Sequence, residues 1–152
     1  MRMGFQQAIK IANGFGPIKF GSTMADVERV LGSADEEELF DETQMAADLC
    51  YKLLKLHVGF YDVCGKGLQV ISFLTGNKSA TLWGTRVVGL QKSEILKLFQ
   101  DHDHVDFTNR VDELAAQGCE TLRLNKSHIT LDFRNGTLKR ILWGAVSANT
   151  PA

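Results

Sequence analysis

The spacing of hydrophobic and polar residues changes several times along the chain, and each change marks an element. Met24, Val27, Val30 and Leu31 recur at helical spacing and give one apolar stripe. Thr23-Met24-Ala25-Asp26 is a capping-box pattern, in which the threonine hydroxyl accepts from a backbone N–H of the first turn. Gly32 suits the left-handed position that closes such a helix. A second helix, about Gln91 to Gln100, keeps the stripe in Ile95, Leu98 and Phe99 but lacks a good N-cap, so its start frays more easily. Elsewhere the period falls to two. Ile129, Leu131 and Phe133 alternate with Thr130 and Asp132, which describes a sheet with one buried face. The same reading predicts strands over Cys50 to Leu54, Leu56 to Tyr61, Leu68 to Leu74, Glu120 to Leu124, His128 to Phe133 and Thr137 to Trp143. Asn135-Gly136 marks a tight hairpin. Phe5 to Ala12 reads as an amphipathic helix stopped by Asn13-Gly14.

The chain also matches itself. Phe15 to Leu31 lies over Trp83 to Phe99 without a gap, with Gly16 on Gly84 and Gly21 on Gly89. Further on, after small drifts of the kind loops allow, Cys50 meets Cys119, His57-Val58 meets His128-Ile129, and Phe73 meets Trp143. The expected fold is therefore α+β: a tandem repeat of a helix packed on a three- to four-stranded antiparallel meander, plus an N-terminal helix. The expected divisions are 1–14 for that helix, 15–76 and 77–144 for the two modules, and 145–152 for a flexible tail, the whole forming one continuous domain.

The segment Ile18 to Gly32 runs extended strand, glycine, small polar cap, acidic residue, valine and then Leu-Gly. It resembles the motif of β-lactamase-inhibitory-protein-like modules, small outer-membrane assembly lipoproteins and small bacterial immunity-type proteins, with a weaker second copy over Arg86 to Gln100. The tandem arrangement is similar to the inhibitory proteins in particular. That resemblance implies a helical layer on an antiparallel sheet, and function by binding another macromolecule.

Composition narrows the partner. Seventeen basic residues face eighteen acidic ones, for a net charge of −1. This is a poor balance for displacing counterions from nucleic acid. No apolar run approaches the ~18 residues that span a bilayer. Three cysteines, with no CxxC pair, point to reduced thiols, and the start lacks both an apolar leader core and a lipid-attachment cysteine. The expectation is a cytoplasmic protein with no nucleic-acid or membrane partner.

Candidate chemistry is sparse. His102 and His104 in Asp101-His102-Asp103-His104 make the most tempting run for metal ligation, and they read more simply as a polar loop after the second helix. His57 with His128, and Cys50 with Cys119, read as packing residues because both copies carry them. Six acids fall within the eight residues Asp35 to Glu42, and the second copy is far less acidic there. Tyr51 and Tyr61 also have no aromatic match. The expected function is a non-enzymatic protein-binding module, inhibitor- or immunity-like and of bacterial type, needing no cofactor. Its contact surface is Glu36, Glu37, Glu38, Asp41, Glu42, Tyr51 and Tyr61, and its partner another protein of basic character. A small-ligand binder with a pocket between helix and sheet is the alternative, and a metal-dependent hydrolase using His102 and His104 the third. Thr137 to Trp143, read as an unpaired edge, would allow a homodimer.

Overall fold

A computed structural model describes residues 6–39, 45–62, 65–110 and 118–145. In chain order the elements are β1 (Ala8–Lys10), β2 (Gly14–Phe15), β3 (Ile18–Lys19), α1 (Met24–Leu31), β4 (Glu36–Leu39), β5 (Ala46–Tyr51), β6 (Leu56–Tyr61) and β7 (Gln69–Thr75). They continue with β8 (Thr81–Leu82), β9 (Thr85–Arg86), α2 (Lys92–Asp101), β10 (Phe107–Arg110), β11 (Cys119–Leu124), β12 (Ile129–Arg134) and β13 (Thr137–Gly144). Eight strands form one sheet in the order β10-β11-β12-β13-β7-β6-β5-β4, and five short ones form a second in the order β3-β2-β1-β8-β9.

The α+β expectation is overturned. Thirteen strands and only two helices, of 8 and 10 residues, make the described residues mostly β. The two expected meanders do not stand as separate helix-backed units. β7 and β13 pair antiparallel and fuse them into one sheet, with Phe73 opposite Trp143 and Leu74 opposite Leu142. The expected N-terminal helix is also absent: Ala8–Lys10 is a strand, pairing antiparallel with β2 and parallel with β8. Its apolar residues satisfy a long-range ladder that no local period reveals. β13 is likewise no edge, since it is paired on both sides; the edges of the large sheet are β4 and β10.

Among the described residues, only one face of the large sheet is covered. Ala47, Leu49 and Tyr51 of β5, Leu56, Val58 and Phe60 of β6, and Ile129, Leu131 and Phe133 of β12 alternate inward. They share one core with Val27 and Leu31 of α1, Ile95 and Phe99 of α2, and Phe15 and Ile18 of the small sheet. Phe73 stacks on Trp143 at 5.4 Å, Phe15 leans on both, and the Trp143 indole N–H donates to the Gly14 carbonyl at 2.9 Å. Both helices and the small sheet therefore occupy the same side, and the residues that alternate with these inward ones lie on the opposite face of the large sheet.

Local signals hold at the helix ends and in the last hairpin. Thr23 and Asp26 cap α1 reciprocally, and Gly32 sits at φ 81°. Gln91 makes no side-chain cap bond to α2. Asn135 and Gly136 turn β12 into β13 with φ 52° and 79°. Thr23→Ala should therefore cost about 1 kcal/mol in urea unfolding, while Gln91→Ala stays within about 0.5 kcal/mol.

Candidate functional site

The open face of the large sheet holds the chemistry, and the ladder registers decide which side chains meet there. In β5·β6, Asp48 lies opposite Gly59 and Cys50 opposite His57. Parity sends all of these but the glycine's absent side chain outward, so the His57 imidazole lies between two neighbours on the adjacent strand. Its Nδ1 is 2.8 Å from the Asp48 carboxylate and its Nε2 is 3.8 Å from the Cys50 sulfur. The carboxylate accepts only, so Nδ1–H is the donor and Nε2 faces the thiol. On the next strand Glu36 lies opposite Cys50 and Glu38 opposite Asp48. Glu36, Glu37, Glu38, Asp48, Cys50 and His57 line one shallow dimple of about 320 Å³.

His57 and Cys50 are expected to be packing residues, because His128 and Cys119 match them in sequence. The ladders place those residues elsewhere. Matching bulges fall between Gly59 and Phe60 and between Asp132 and Phe133. With these aligned, the Cys50–His57 pair corresponds to Arg123–Thr130, and Asp48–Gly59 corresponds to Thr121–Asp132. The counterpart of His128 is Lys55. Both are left-handed, at φ 53° and 47°, and their carbonyls accept from Gly144 and Gly76. The Asp48–His57–Cys50 group thus belongs to one half of the sheet alone, and the packing argument against it lapses. Cys119 lies on β11, half-buried, beside a second hollow lined by Asp132, Arg134 and Arg140.

A cysteine, a histidine and an aspartate in this order have the outline of a thiol nucleophile with its base and orienting acid. Two features oppose that use. Burial and the neighbouring Glu36 and Asp48 carboxylates push the Cys50 thiol up, away from the thiolate, with Lys52 only partly offsetting them. Cys50 also sits in a strand paired on both sides, so the N–H groups around it are spent in ladders and none is free to hold an oxyanion.

The other expected residues divide. Glu36, Glu37 and Glu38 form the exposed edge strand β4, where Glu36 accepts from the Lys52 ammonium at 3.0 Å. Tyr61 is on the open face and 40% exposed. Tyr51 is not a contact residue: it shares the inward parity of Ala47 and Leu49, is 2% exposed, and donates its hydroxyl proton to the Gly32 carbonyl at 2.9 Å. Asp41, Glu42 and Cys64 lie outside the described residues. His102 stacks flat on Trp83 at 4.0 Å and takes its Nδ1 contact from the Leu98 carbonyl, while His104 contacts Trp83 and the Ser127 hydroxyl. The Nδ1 of each ring is thus held by a local partner, and both rings lie against Trp83. Trp83 itself had been matched to Phe15. In hairpin register Phe15, opposite Ile18, corresponds instead to Leu82, opposite Thr85; both are fully buried, and Trp83 lies in the turn at φ 51°. The larger cavities, of 410, 650 and 560 Å³, are lined by sheet and loop residues, with none from α1 or α2. Among the described residues no three His, Cys, Asp or Glu side chains stand together as a ready ligand set.

Comparison with known proteins adds no name: no family model, curated protein or solved structure matches this chain. No helix among the described residues is long and apolar enough to cross a membrane.

Burial, with Glu28 and Asp35 nearby, raises the Tyr51 phenol from 10.0 to about 12. A raised acid favours the protonated form in the folded state, so its contribution is intact below pH 10 and lost as pH rises toward 12. Urea midpoints measured from pH 8 to 12 should fall across that window in the wild type, and less steeply in Tyr51→Phe.

Proposed function

We propose that this chain is a non-enzymatic protein-binding module, inhibitor- or immunity-like in kind, that holds a basic partner on the acidic end of its open sheet face. The observation that carries this reading is the division of charge across that face. Glu36 and Glu38 of β4 and Asp48 of β5 project at one end, with Glu37 on the same edge. Arg123, Arg134 and Arg140 occupy the other end, with Asp132 held by Arg140 at 3.0 Å. Between them lie Leu74 and the 37%-exposed Leu142, directly opposite each other.

Such an arrangement gives an oriented field rather than a uniform one, and complementary fields steer association and reject like-charged competitors. The size is also suitable. Eight strands about 4.8 Å apart, each presenting about five residues of 3.3 Å, make a face of roughly 600 Å², near the ~800 Å² that each partner gives to a standard interface. Tyr61 beside the acidic end offers a rigid amphipathic contact. β4 is short and charged, which protects it from pairing with another edge and leaves the face, not the edge, as the contact.

The test is affinity capture from host extract with the wild type and with a Glu36→Lys/Glu37→Lys/Glu38→Lys variant, whose fold is checked by circular dichroism. The partner should be bound at low salt and lost at least about tenfold in the variant. A partner captured equally by a folded variant would remove the acidic end from the interface.

A further inference from the structure

The Asp48–His57–Cys50 group has a second use that its surroundings favour where they oppose nucleophilic attack. We propose that the acidic end of the open face is a zinc-type divalent cation site, with Cys50 and His57 as its preset ligands and Glu36 as the third.

Geometry supplies the first argument. Zinc bonds of ~2.3 Å to sulfur and ~2.0–2.1 Å to imidazole, at a tetrahedral angle, set two such ligands roughly 3.6 Å apart. Cys50 Sγ and His57 Nε2 are 3.8 Å apart, on neighbouring strands whose register fixes both. His57 already has the orientation a bound metal requires. Its Nδ1 donates to Asp48, which fixes the ring and leaves Nε2 facing Cys50, as carboxylate–histidine–metal triads do.

Charge supplies the second. Carboxylates that make a bare thiolate unfavourable stabilise a cation placed beside it, and Glu36, Glu38 and Asp48 all lie on the strands around the sulfur. Binding would displace the proton of the Cys50 thiol, since thiolate is the form that ligates a metal. Glu36 stands directly across the strand pair from Cys50 but is held by Lys52, both side chains being well exposed. Turning Glu36 from Lys52 to the metal completes three protein ligands and leaves the fourth position to water. The ligand set is therefore assembled on binding rather than beforehand. The corresponding positions of the other half, Arg123, Thr130, Thr121 and Thr108, carry no such donors, so the fold itself does not require this group.

The experiment is titration of the reduced protein with Zn²⁺ by calorimetry, and with Co²⁺ by absorbance, in a Cys64→Ser/Cys119→Ser background where Cys50 is the sole thiol. One Zn²⁺ should bind per chain with release of a proton, and Co²⁺ should give a thiolate-to-metal charge-transfer band. Cys50→Ser should abolish the band, and His57→Gln should weaken binding by at least about tenfold. Asp48→Asn should weaken it roughly 10- to 100-fold while leaving the band in place at saturation. Lys52→Gln, which frees Glu36 and removes a repelling charge, should tighten it. Asp48, Cys50 and His57 are on the open face and Lys52 is exposed, and circular dichroism verifies that each variant is folded. No charge-transfer band, or Zn²⁺ binding unchanged by Cys50→Ser, would overturn the proposal.

Discussion

The rest of the structure depends on the pairing of β7 with β13. Either set of four strands alone would have an edge in the middle of the molecule and half a core. Joined, they give one sheet with Phe73 stacked on Trp143 beneath it and Leu74 beside Leu142 above it. The inner pair anchors the small sheet, because the Trp143 indole reaches the Gly14 carbonyl and Phe15 wedges against both rings. The outer pair is the midpoint of the exposed face, from which the acidic and basic ends diverge. Side-chain period in a strand is two, so a one-residue slip at any ladder would turn these roles inside out. Register is thus the link between core packing and surface chemistry.

Much of the local structure was legible. Thr23-Met24-Ala25-Asp26 and Gly32 delimit α1 because a cap and a left-handed closing residue are satisfied within a few positions. Asn135-Gly136 works for the same reason. Ala8–Lys10 was misread because one of its two partners, Thr81–Leu82, lies far along the chain, and three residues with two apolar ones fit helix and strand equally. The balance of α to β was misjudged for a related reason. Segments such as Gly14–Phe15 and Thr85–Arg86 are too short to show a period, yet they assemble into a second sheet.

The candidate site was hidden by letter matching. Cysteine over cysteine and histidine over histidine gave a plausible alignment, but unequal turns shift the true correspondence, so that His57 answers to Thr130 and His128 to Lys55. Backbone conformation would have exposed the error, since His128 and Lys55 are both left-handed and His57 is mid-strand. What sequence did identify is the acidic run: Glu36, Glu37 and Glu38 are exposed, and they border the place where His57 is held between a carboxylate and a thiol. Tyr51 was misplaced although its parity with Ala47 and Leu49 was readable, because the strand was started four residues too late at Cys50.

Everything proposed for the open face follows from two registers, Cys50 opposite His57 and Leu74 opposite Leu142. Cross-strand nuclear Overhauser effects between backbone protons of the assigned protein measure both in one spectrum. The account predicts connectivities that place these residues directly opposite each other, with Phe73 opposite Trp143 in the same ladder. Connectivities displaced by one residue in β5·β6 would turn His57 into the core, and their absence between β7 and β13 would divide the sheet; either result would contradict it.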